Sequence, residues 1–562
     1  MPEKVSLPAT SNPWLFRPSH LVHSRFGLLT ATVLLSMLAV WSIGGRNIKT
    51  FIKVSTSPQD FVSVSSNFTV TLQSLSANDS YKPENYSESV LIQSVPPQNS
   101  TAEPPDGSGV EWFSAELEPN FTSHLLALWL APGGEPCRDS KTADIAISGM
   151  ERPATVELST GDVHEFRFQA LDQSGNPRCL GGDYFETDLS GDSWKSRPFV
   201  KDFGNGSYSF WLQMHPDFAG DYNLTVILLF RHFEGLRFSP TRFAYDRELR
   251  RIKRDLDRTV DRHGRNDDCK ISNDGRYRCF APEYPCRSPW CKGSLGLLES
   301  NGWVYSTHCS FKMFSSDSAW DCLMGRWIFF WGDSNHVDTI RNLLNFVLGL
   351  PEIPAVPRRF DRNFSNPNNP TQTVRITSIF NGHWNDTQNY QGLNSLRNEG
   401  FRNLLHKYFS ERTVPDTIIM NSGLHDGVYW LNIRAFTIGA AYAASFWKQV
   451  MESIKQRGLT VPKVIYRTTV ATGGYARTLA FNPNKMEMFN WVMLDKLKES
   501  GIVNGVIDNF DMTFPWHFDN RCNDGVHYGR APAKLKWRDG EIGHQYFLDL
   551  MLAHILLNAL CN

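Results

Sequence analysis

Three residues in the C-terminal half of the chain have the types and order that acyl transfer requires. Ser334 ends a Gly-Asp-Ser tripeptide, and Asp524 stands three positions before His527 near the C-terminus. A serine hydroxyl is a weak nucleophile unless a base removes its proton, and an imidazole oriented by a carboxylate can act as that base. The sequence therefore predicts Ser334 as nucleophile, His527 as base and Asp524 as the residue that orients His527.

The residues around Ser334 predict a sharp turn from a strand into a helix. The apolar run 327–331 has the length of a buried strand, and apolar residues recur at helical spacing after Ser334. Ser334 would then lie at the carboxyl edge of a sheet, where α/β folds bind ligands. The free N–H groups of the first helical turn lie beside it and can stabilise an oxyanion. The alternative is that Ser334 only caps the helix.

The rest of this region alternates predicted strands with predicted helices. Strands are predicted at 373–380, 417–420, 464–469 and 503–508, and helices at 396–409, 432–456, 485–500 and 543–560. This alternation predicts a parallel sheet with helices on both faces. Because strand ends meet at one edge, Gly382 and Asn421 are candidates to face Ser334, although each can equally be a turn residue. The pair His425-Asp426 is a rival for the base, and Asp333 is expected to be structural.

These motifs together resemble the GDSL/SGNH hydrolase superfamily, whose nucleophile stands in a first block and whose Asp and His share the last. The lead-in at residues 320–326 (WDCLMGR) is similar to that of the PC-esterase group, which includes the plant trichome-birefringence-like polysaccharide O-acetyltransferases. The resemblance covers residues 269–562 and implies a three-layer α/β domain. It also implies Ser334, Gly382 and Asn421 as oxyanion donors, and acetyl groups on carbohydrate hydroxyls as the chemistry.

Residues 111–245 have a different pattern of short strands separated by turns. The predicted strands are 154–158, 164–171, 206–214 and 221–229, which predicts a β-sandwich used for binding or spacing. The turns GGD at 181–183 and DFGNGSY at 202–208 resemble a filamin-type immunoglobulin-like repeat. Cys137 and Cys179 are candidates to pair within it. This module before a PC-esterase-like domain is similar in arrangement to the neurexophilin-and-PC-esterase group.

The N-terminus predicts a membrane anchor followed by a stem. Residues 1–25 are polar, and residues 26–45 carry no charged side chain over a length that spans a bilayer core. An uncleaved signal anchor is favoured over a cleaved signal peptide because the preceding polar stretch is long. Residues 46–110 are rich in Ser, Asn, Pro and Thr, which predicts a glycosylated stem without a packed core. The alternative for the stem is a poorly patterned domain.

Glycosylation sequons and cysteines lie only after the predicted anchor. The sequons begin at Asn67, Asn78, Asn85, Asn99, Asn120, Asn205, Asn223, Asn363 and Asn385. All 10 cysteines also follow it, which is typical of an oxidising compartment. We therefore expect a single-pass type II protein of the secretory pathway, in the Golgi membrane, with its C-terminal portion in the lumen.

The segment between the two predicted domains is charged and then rich in cysteine. Residues 246–268 interleave basic and acidic side chains, which predicts a solvated linker, with a processing site at 250–254 (RRIKR) as the alternative. The next cysteines are Cys269, Cys279, Cys286, Cys291, Cys309 and Cys322. Disulfides among them are favoured over a zinc site in a lumenal chain. A Cys522–Cys561 bridge is conceivable as a link between the predicted catalytic loop and the last helix.

The sequence as a whole favours an enzyme but leaves two classes of function open. The net charge of -1 argues against recognition of nucleic acid by bulk charge, and no cofactor is predicted. The first hypothesis is a Ser-His-Asp O-acetyltransferase or acetylesterase with an acetyl donor and a glycan acceptor, where the anchor and stem favour the transferase. The second is a non-catalytic binding protein whose β-sandwich holds a protein partner. The sequence does not identify the donor, the acceptor glycan or the oligomeric state.

Overall fold

The structure is a computed structural model that describes most of the chain from residue 117 onwards and one strand before it. The described residues are 65–73, 117–130, 140–150, 155–191, 194–214, 219–237, 297–298, 304–305, 314–351, 353, 356–382, 391–473, 480–514, 517, 526–528 and 544–561. The predicted tail (1–25), anchor (26–45) and linker (246–268) lie outside them. So do the sequon residues Asn78, Asn85, Asn99 and Asn385. None of the described helices is long and apolar enough to cross a membrane.

Two β-sheets share one hydrophobic core in the N-terminal part of the described chain. The seven-stranded sheet has the order β10-β11-β6-β5-β9-β1-β3 and the four-stranded sheet the order β2-β4-β8-β7. The strands are β1 (Ser65–Gln73), β2 (Asp144–Ile147), β3 (Thr155–Ser159), β4 (His164–Leu171), β5 (Tyr184–Gly191), β6 (Trp194–Ser196), β7 (Val200–Asp202), β8 (Ser207–Leu212), β9 (Gly220–Phe230), β10 (Leu297–Leu298) and β11 (Val304–Tyr305). Phe168 and Phe210 of the four-stranded sheet are buried in the same cluster as Phe185 and Leu224 of the seven-stranded sheet. We call this part the β-domain; its filamin-type character stays a prediction.

The β-domain includes strands from regions that were predicted to have other roles. Strand β1 lies in the predicted stem, yet it pairs antiparallel with β9 and parallel with β3. Strands β10 and β11 lie in the predicted cysteine-rich lead-in, yet β11 pairs with β6. The predicted domain boundaries stay a prediction, and these strand pairings were not predicted. The reason is that their partners lie far away in sequence, so local composition carries no signal of the pairing.

A six-stranded mixed sheet forms the centre of the C-terminal part. Its order is β13-β14-β12-β15-β16-β17. The strands are β12 (Trp327–Gly332), β13 (Arg359–Asn366), β14 (Asn369–Phe380), β15 (Thr417–Met420), β16 (Lys463–Arg467) and β17 (Gly505–Ile507). Neighbouring strands are parallel except for β13, which forms an antiparallel hairpin with β14. The prediction of a parallel sheet is confirmed for the other strands, and β13 was missed because most of its side chains are exposed and polar.

Helices cover both faces of this sheet, as the alternation of side chains along β12 requires. Trp327, Phe329 and Trp331 are buried in one cluster, whereas Ile328 and Phe330 are buried in the other. The helices of the described residues are α1 (Phe121–Leu130), α2 (Glu234–Arg237), α3 (Ser316–Leu323), α4 (Ser334–Asn342), α5 (Glu399–Phe409), α6 (Leu424–Tyr429), α7 (Ile433–Gln456), α8 (Pro483–Ser500), α9 (Asn509–Thr513) and α10 (His544–Cys561). Side chains of α5, α7 and α8 join the first cluster, and those of α3, α4 and α10 join the second.

A disulfide joins Cys322, at the end of α3, to Cys561, at the end of α10. The considered Cys522–Cys561 bridge is therefore wrong, because α3 and α10 pack on the same face and bring Cys322 to Cys561. Cys179 is also in a disulfide. The remaining cysteines lie outside the described residues: Cys137, Cys269, Cys279, Cys286, Cys291, Cys309 and Cys522. The predicted pairing of Cys322 within the lead-in is wrong, because Cys322 bonds to Cys561; pairing among the other lead-in cysteines stays a prediction.

Removal of the Cys322–Cys561 bridge should destabilise the protein measurably. The bridge closes a loop with a sequence separation of 239, so its loss frees a long segment of the unfolded chain. We expect Cys322→Ser and Cys561→Ser each to lower the free energy of unfolding by about 2–5 kcal/mol in urea denaturation. The double variant should lose no more than either single variant, since both remove the same bond. Two free thiols at these positions in the wild-type protein would contradict the pairing.

Candidate active site

Ser334 stands at the first position of helix α4, directly after a fully buried strand. Every residue of β12 is buried. Asp333, with extended backbone, is the residue that caps the helix, and its side chain accepts a hydrogen bond from the Asn335 N–H at 2.9 Å. Capping by Ser334, the alternative raised from the sequence, is therefore wrong. The cap leaves the Ser334 hydroxyl available for another partner.

That partner is His527. The Ser334 Oγ lies 2.7 Å from His527 Nε2, which is hydrogen-bond distance. A second contact holds the same two segments together, since the Asn335 side-chain amide donates to the Val526 carbonyl at 3.2 Å. The structure thus brings together two residues separated by 193 positions. This is the arrangement in which an imidazole can take the proton of an attacking hydroxyl. Asp524 lies outside the described residues, and its role in orienting His527 stays a prediction.

The turn before Ser334 is tight, and this explains why residue 332 is a glycine. A Cβ on Gly332 would come within 2.2 Å of the His336 ring nitrogen Nδ1. His336 lies two residues after Ser334 on α4 and is 1 % exposed. Burial lowers its pKa well below the usual value, with the Arg467 charge acting in the same direction. His336 is therefore a neutral packing residue of the turn, and Gly332 is the residue that its ring allows.

The predicted oxyanion residues flank the strand that carries Ser334. Asn381, which precedes the buried Gly382, donates its backbone N–H to the Gly332 carbonyl at 2.8 Å. Asn421 donates its backbone N–H to the Trp331 carbonyl at 2.9 Å. Gly382 and Asn421 thus follow strands β14 and β15 on either side of β12. Their roles as oxyanion donors, with the Ser334 N–H, stay a prediction.

The side chain of Asn421 has a clear task in the fold. Its amide donates to the Arg467 carbonyl at 2.9 Å and to Thr469 Oγ1 at 3.2 Å, which braces β15 against β16. Both amide hydrogens are occupied in this arrangement. An oxyanion role for Asn421 therefore requires that one of these hydrogen bonds be exchanged when substrate binds.

A buried polar network behind this edge was missed from the sequence. Asn381 donates through its side chain to the Asn421 carbonyl at 2.9 Å, and Ser422 donates to Asp426. Asp426 also accepts from the Leu393 N–H at 2.8 Å. Burial raises the pKa of Asp426 to about 6, against these hydrogen bonds. These side chains bind one another across distant segments, which residue spacing alone does not reveal.

The rival base His425 belongs to the same network. Its Nδ1 lies 3.3 Å from Asn381 Oδ1, and its ring packs against Phe380 with centroids 4.7 Å apart. Asp426, its neighbour, is fully buried. The structure therefore pairs Ser334 with His527 and places His425 against Asn381.

A buried cluster of charged and polar side chains contacts the helix that carries Ser334. Arg467, at the end of β16, is 1 % exposed and donates to Thr339 of α4 at 2.8 Å. Asp549 of α10 accepts from Thr339 at 2.7 Å and from Asn342 at 2.6 Å. Burial lowers the pKa of Arg467 to about 10, and the charges of Asp549 and Asp333 oppose that shift. Burial likewise raises the pKa of Asp333, against its hydrogen bond to Asn335 and the nearby charges of His527 and Arg467.

The side chains of Arg467 and Asp549 tie helix α4, which carries Ser334, to strand β16 and to helix α10. Burial raises the pKa of Asp549 to about 6, the Asp338 charge adds to this shift, and Arg467 opposes it. Arg467 and Asp549 both bind Thr339, which lies five residues after Ser334 on α4. These hydrogen bonds therefore hold α4, and with it Ser334, in position. Within the described part of the chain, no group of three or more His, Cys, Asp or Glu side chains is placed to hold a metal ion.

No protein-family model and no curated protein matches this chain. Solved structures of esterases and α/β hydrolases are among those similar to it. The acetylxylan esterase Axe2 from Geobacillus stearothermophilus is 11% identical with a TM-score of 0.24, and the match covers 42% of this chain and 94% of that one. LAE5, an α/β hydrolase enzyme from the metagenome of Lake Arreo, Spain, is 14% identical with a TM-score of 0.23, covering 43% of this chain and 98% of that one.

A protein with another activity is also similar. Toc33 from Arabidopsis thaliana, solved with GDP and Mg²⁺, is 12% identical with a TM-score of 0.18, covering 40% of this chain and 82% of that one. The function proposed below therefore rests on the geometry of the site.

Proposed function

We propose that the protein is a Ser-His-Asp acyl-transferring enzyme that moves acetyl groups on carbohydrate hydroxyls. The observation that carries the proposal is the 2.7 Å between Ser334 Oγ and His527 Nε2. Ser334 also stands at the N-terminus of α4, where the helix dipole favours a developing negative charge. A nucleophile, a base and an oxyanion-stabilising environment are the parts that acyl transfer needs.

The reaction proceeds in two steps through an acetyl-enzyme. Ser334 Oγ bonds to the acetyl carbonyl carbon while its proton passes to His527 Nε2, with Asp524 orienting the ring. The oxyanion forms beside the first turn of α4. Collapse breaks the carbon–oxygen bond of the donor ester, and His527 returns the proton to the leaving alcohol. A hydroxyl then attacks the carbonyl carbon of acetyl-Ser334 while its proton passes to His527. The bond between that carbon and Ser334 Oγ breaks, and His527 returns the proton to Ser334.

The acceptor in the second step decides between the two possible activities. A sugar hydroxyl gives O-acetyl transfer, and water gives ester hydrolysis. We favour O-acetyltransferase, because an N-terminal anchor followed by a stem is the layout of many glycan-modifying enzymes. The partners are then an acetyl donor and a glycan acceptor, with no nucleic acid, and the β-domain is available to a protein partner.

The proposed setting is the lumen of the Golgi, with a single N-terminal helix in the membrane. The sequon asparagines Asn120, Asn205, Asn223 and Asn363 have exposed side chains, as glycosylation requires. The Cys322–Cys561 disulfide is typical of an oxidising compartment. Both observations support a lumenal C-terminal portion.

An acetyl-exchange assay tests the activity. The full-length protein from a secretory host is incubated with 4-nitrophenyl acetate and a panel of O-acetylated and unacetylated oligosaccharides, and acetyl gain and loss are followed by mass spectrometry. We expect Ser334-dependent acetyl gain on at least one unacetylated glycan that exceeds donor hydrolysis. Loss from acetylated glycans alone would identify an esterase instead.

A fluorophosphonate probe supplies the control, since it labels only an activated serine. Wild-type protein should be labelled at Ser334, and Ser334→Ala should not be labelled. Absence of both labelling and acetyl exchange would favour the non-catalytic binding protein.

A further inference from the structure

A buried contact between Glu186 and His517 joins the β-domain to the segment that precedes His527. Glu186 lies on strand β5, and His517 lies beyond helix α9. Glu186 Oε1 is 3.1 Å from His517 Nε2, and both side chains are fully buried at 0% exposure. The contact is therefore internal to the molecule and shielded from water, and it links positions 331 residues apart.

A second contact from the β-domain reaches the same segment. Arg197 follows strand β6, and its side chain is 6% exposed. Its Nη1 lies 3.4 Å from Asp511 of α9, and its guanidinium lies 4.4 Å above the ring of Phe514. Arg197 also pairs with Glu487 of α8 at 2.6 Å, which fixes the guanidinium from the other side. Two strands of the β-domain thus hold α9 and the turn after it.

We call these residues the histidine-segment clamp. Its members are Glu186 and Arg197 on the β-domain and Asp511, Phe514 and His517 on the segment. The clamp consists of charged and aromatic groups in fixed geometry, not of interchangeable apolar contacts.

The held segment in turn holds the residue next to His527. Tyr528 is completely buried, and its hydroxyl donates to the Ala471 carbonyl at 2.7 Å and contacts the Thr513 carbonyl of α9 at 3.2 Å. Thr513 accepts from the Ala471 N–H at 2.9 Å, so α9, the loop after β16 and Tyr528 form one hydrogen-bonded unit. A displacement of α9 would therefore displace Tyr528 and the adjacent His527.

Buried polar contacts, including the ion pair of Arg197 with Glu487, suit this task better than they suit stabilisation. Desolvation offsets most of their attraction, but a partner moved out of place leaves a buried charge unpaired. Such pairs therefore tolerate only one relative position of the groups that they join. Catalysis is equally sensitive to position, because a misplacement of 1 Å by a remote mutation can cost on the order of 10²-fold in rate.

We propose that the β-domain is a positioning element of the active site, in which the histidine-segment clamp sets His527 opposite Ser334. The sequence predicted binding or spacing as the role of this domain. The proposal rests on the proposed function of Ser334 and His527. Glu186 and Arg197 are positioning residues, since they act on the reaction through α9 and Tyr528.

The test compares three variants of the full-length chain. Glu186→Ala removes the contact to His517, and Glu186→Gln restores a hydrogen-bonding group there. Glu165→Ala is the matched control, because Glu165 is a glutamate of the other sheet of the β-domain and pairs with Arg167 of the same strand, β4, at 3.6 Å. The readout is the rate constant of Ser334 labelling by a fluorophosphonate per folded molecule, together with its pH profile and the melting temperature.

A positioning role predicts a specific pattern. Glu186→Ala should lower the labelling rate constant by on the order of 10-fold or more. Glu186→Gln should recover most of it, and Glu165→Ala should stay within about 2-fold of wild type. Should Glu186→Ala fail to fold, Arg197→Lys gives the same information, because it keeps the positive charge against Glu487 but loses the guanidinium contacts to Asp511 and Phe514.

Two failures are distinguishable. Wild-type labelling with equally fast labelling of Glu186→Ala or Arg197→Lys, even with a lowered melting temperature, would overturn the positioning role alone. Absence of Ser334 labelling in the wild-type protein would overturn the proposed function itself.

Discussion

Ser334→Ala and His527→Ala are each expected to lower acyl transfer by on the order of 10³-fold or more while the folded fraction stays near that of wild type. The two side chains are 2.7 Å apart, so the base is already placed for the proton of the nucleophile. Because such groups act as a unit, the double variant should be no slower than either single variant. Initial rates with 4-nitrophenyl acetate and circular dichroism measure the two quantities.

A matched histidine serves as the control for this result. His406 is exposed on α5, so His406→Ala should keep its rate within about 2-fold of wild type. Asp524→Ala should cost less than the loss of His527, since the base remains but is poorly oriented. Full activity in Ser334→Ala would rule the mechanism out.

Arg467→Leu is expected to lower the free energy of unfolding by about 3–5 kcal/mol, because it leaves buried carboxylates without their counter-charge. Arg467 is fully buried near Asp549 and Asp333, so solvent does not replace it. The matched control is Arg167→Leu: Arg167 is 70% exposed and pairs with Glu165 at 3.6 Å, and its loss should cost about 1 kcal/mol or less. Urea denaturation at pH 7 measures both.

The deficit of Arg467→Leu should also depend on pH in a predictable direction. The pKa of Asp549 is already raised to about 6, so its contribution to stability is present below the unfolded value and is lost as pH rises through 6. Removal of the Arg467 charge raises that pKa further. Above pH 6 the titration of Asp549 therefore continues to lower the stability of the variant but no longer that of the wild-type protein. The difference between their free energies of unfolding grows up to pH 8. A deficit that is constant between pH 5.5 and pH 8 would contradict this account.

The sequence predicted the parts of the site that follow from local patterns. The buried run before Ser334 and the helical spacing after it predicted β12 and α4, and the Asp-x-x-His run drew attention to His527. The role of Asp333 as the cap was not predicted, because serine and aspartate are both good capping residues and spacing does not choose between them. The geometry of the turn decides, since Asp333 has extended backbone and Ser334 already lies in α4.

Features that depend on contacts between distant segments were not predictable. Strand β1 is surrounded by residues typical of a stem, and its pairing with β9 follows from tertiary structure. From the sequence, Cys522 was the candidate partner of Cys561 because it is the preceding cysteine and lies near the site. The structure instead pairs Cys561 with Cys322. The Arg467 group and the histidine-segment clamp likewise join residues from several elements. A single sequence does not show which of its buried charges face one another.

The interleaving of the chain at the β-domain changes what proteolysis could do to this protein. A processing protease acting at residues 250–254 would cut between β9 and β10. From the sequence alone, such a cut would be expected to release the C-terminal part. Strand β11, after that cut, is hydrogen-bonded to β6, before it. Glu186 and Arg197 likewise lie before the cut and bind His517 and Asp511 after it. Cleavage there would therefore yield a two-chain enzyme whose halves stay associated, with one half supplying the nucleophile and the base and the other holding the base in place.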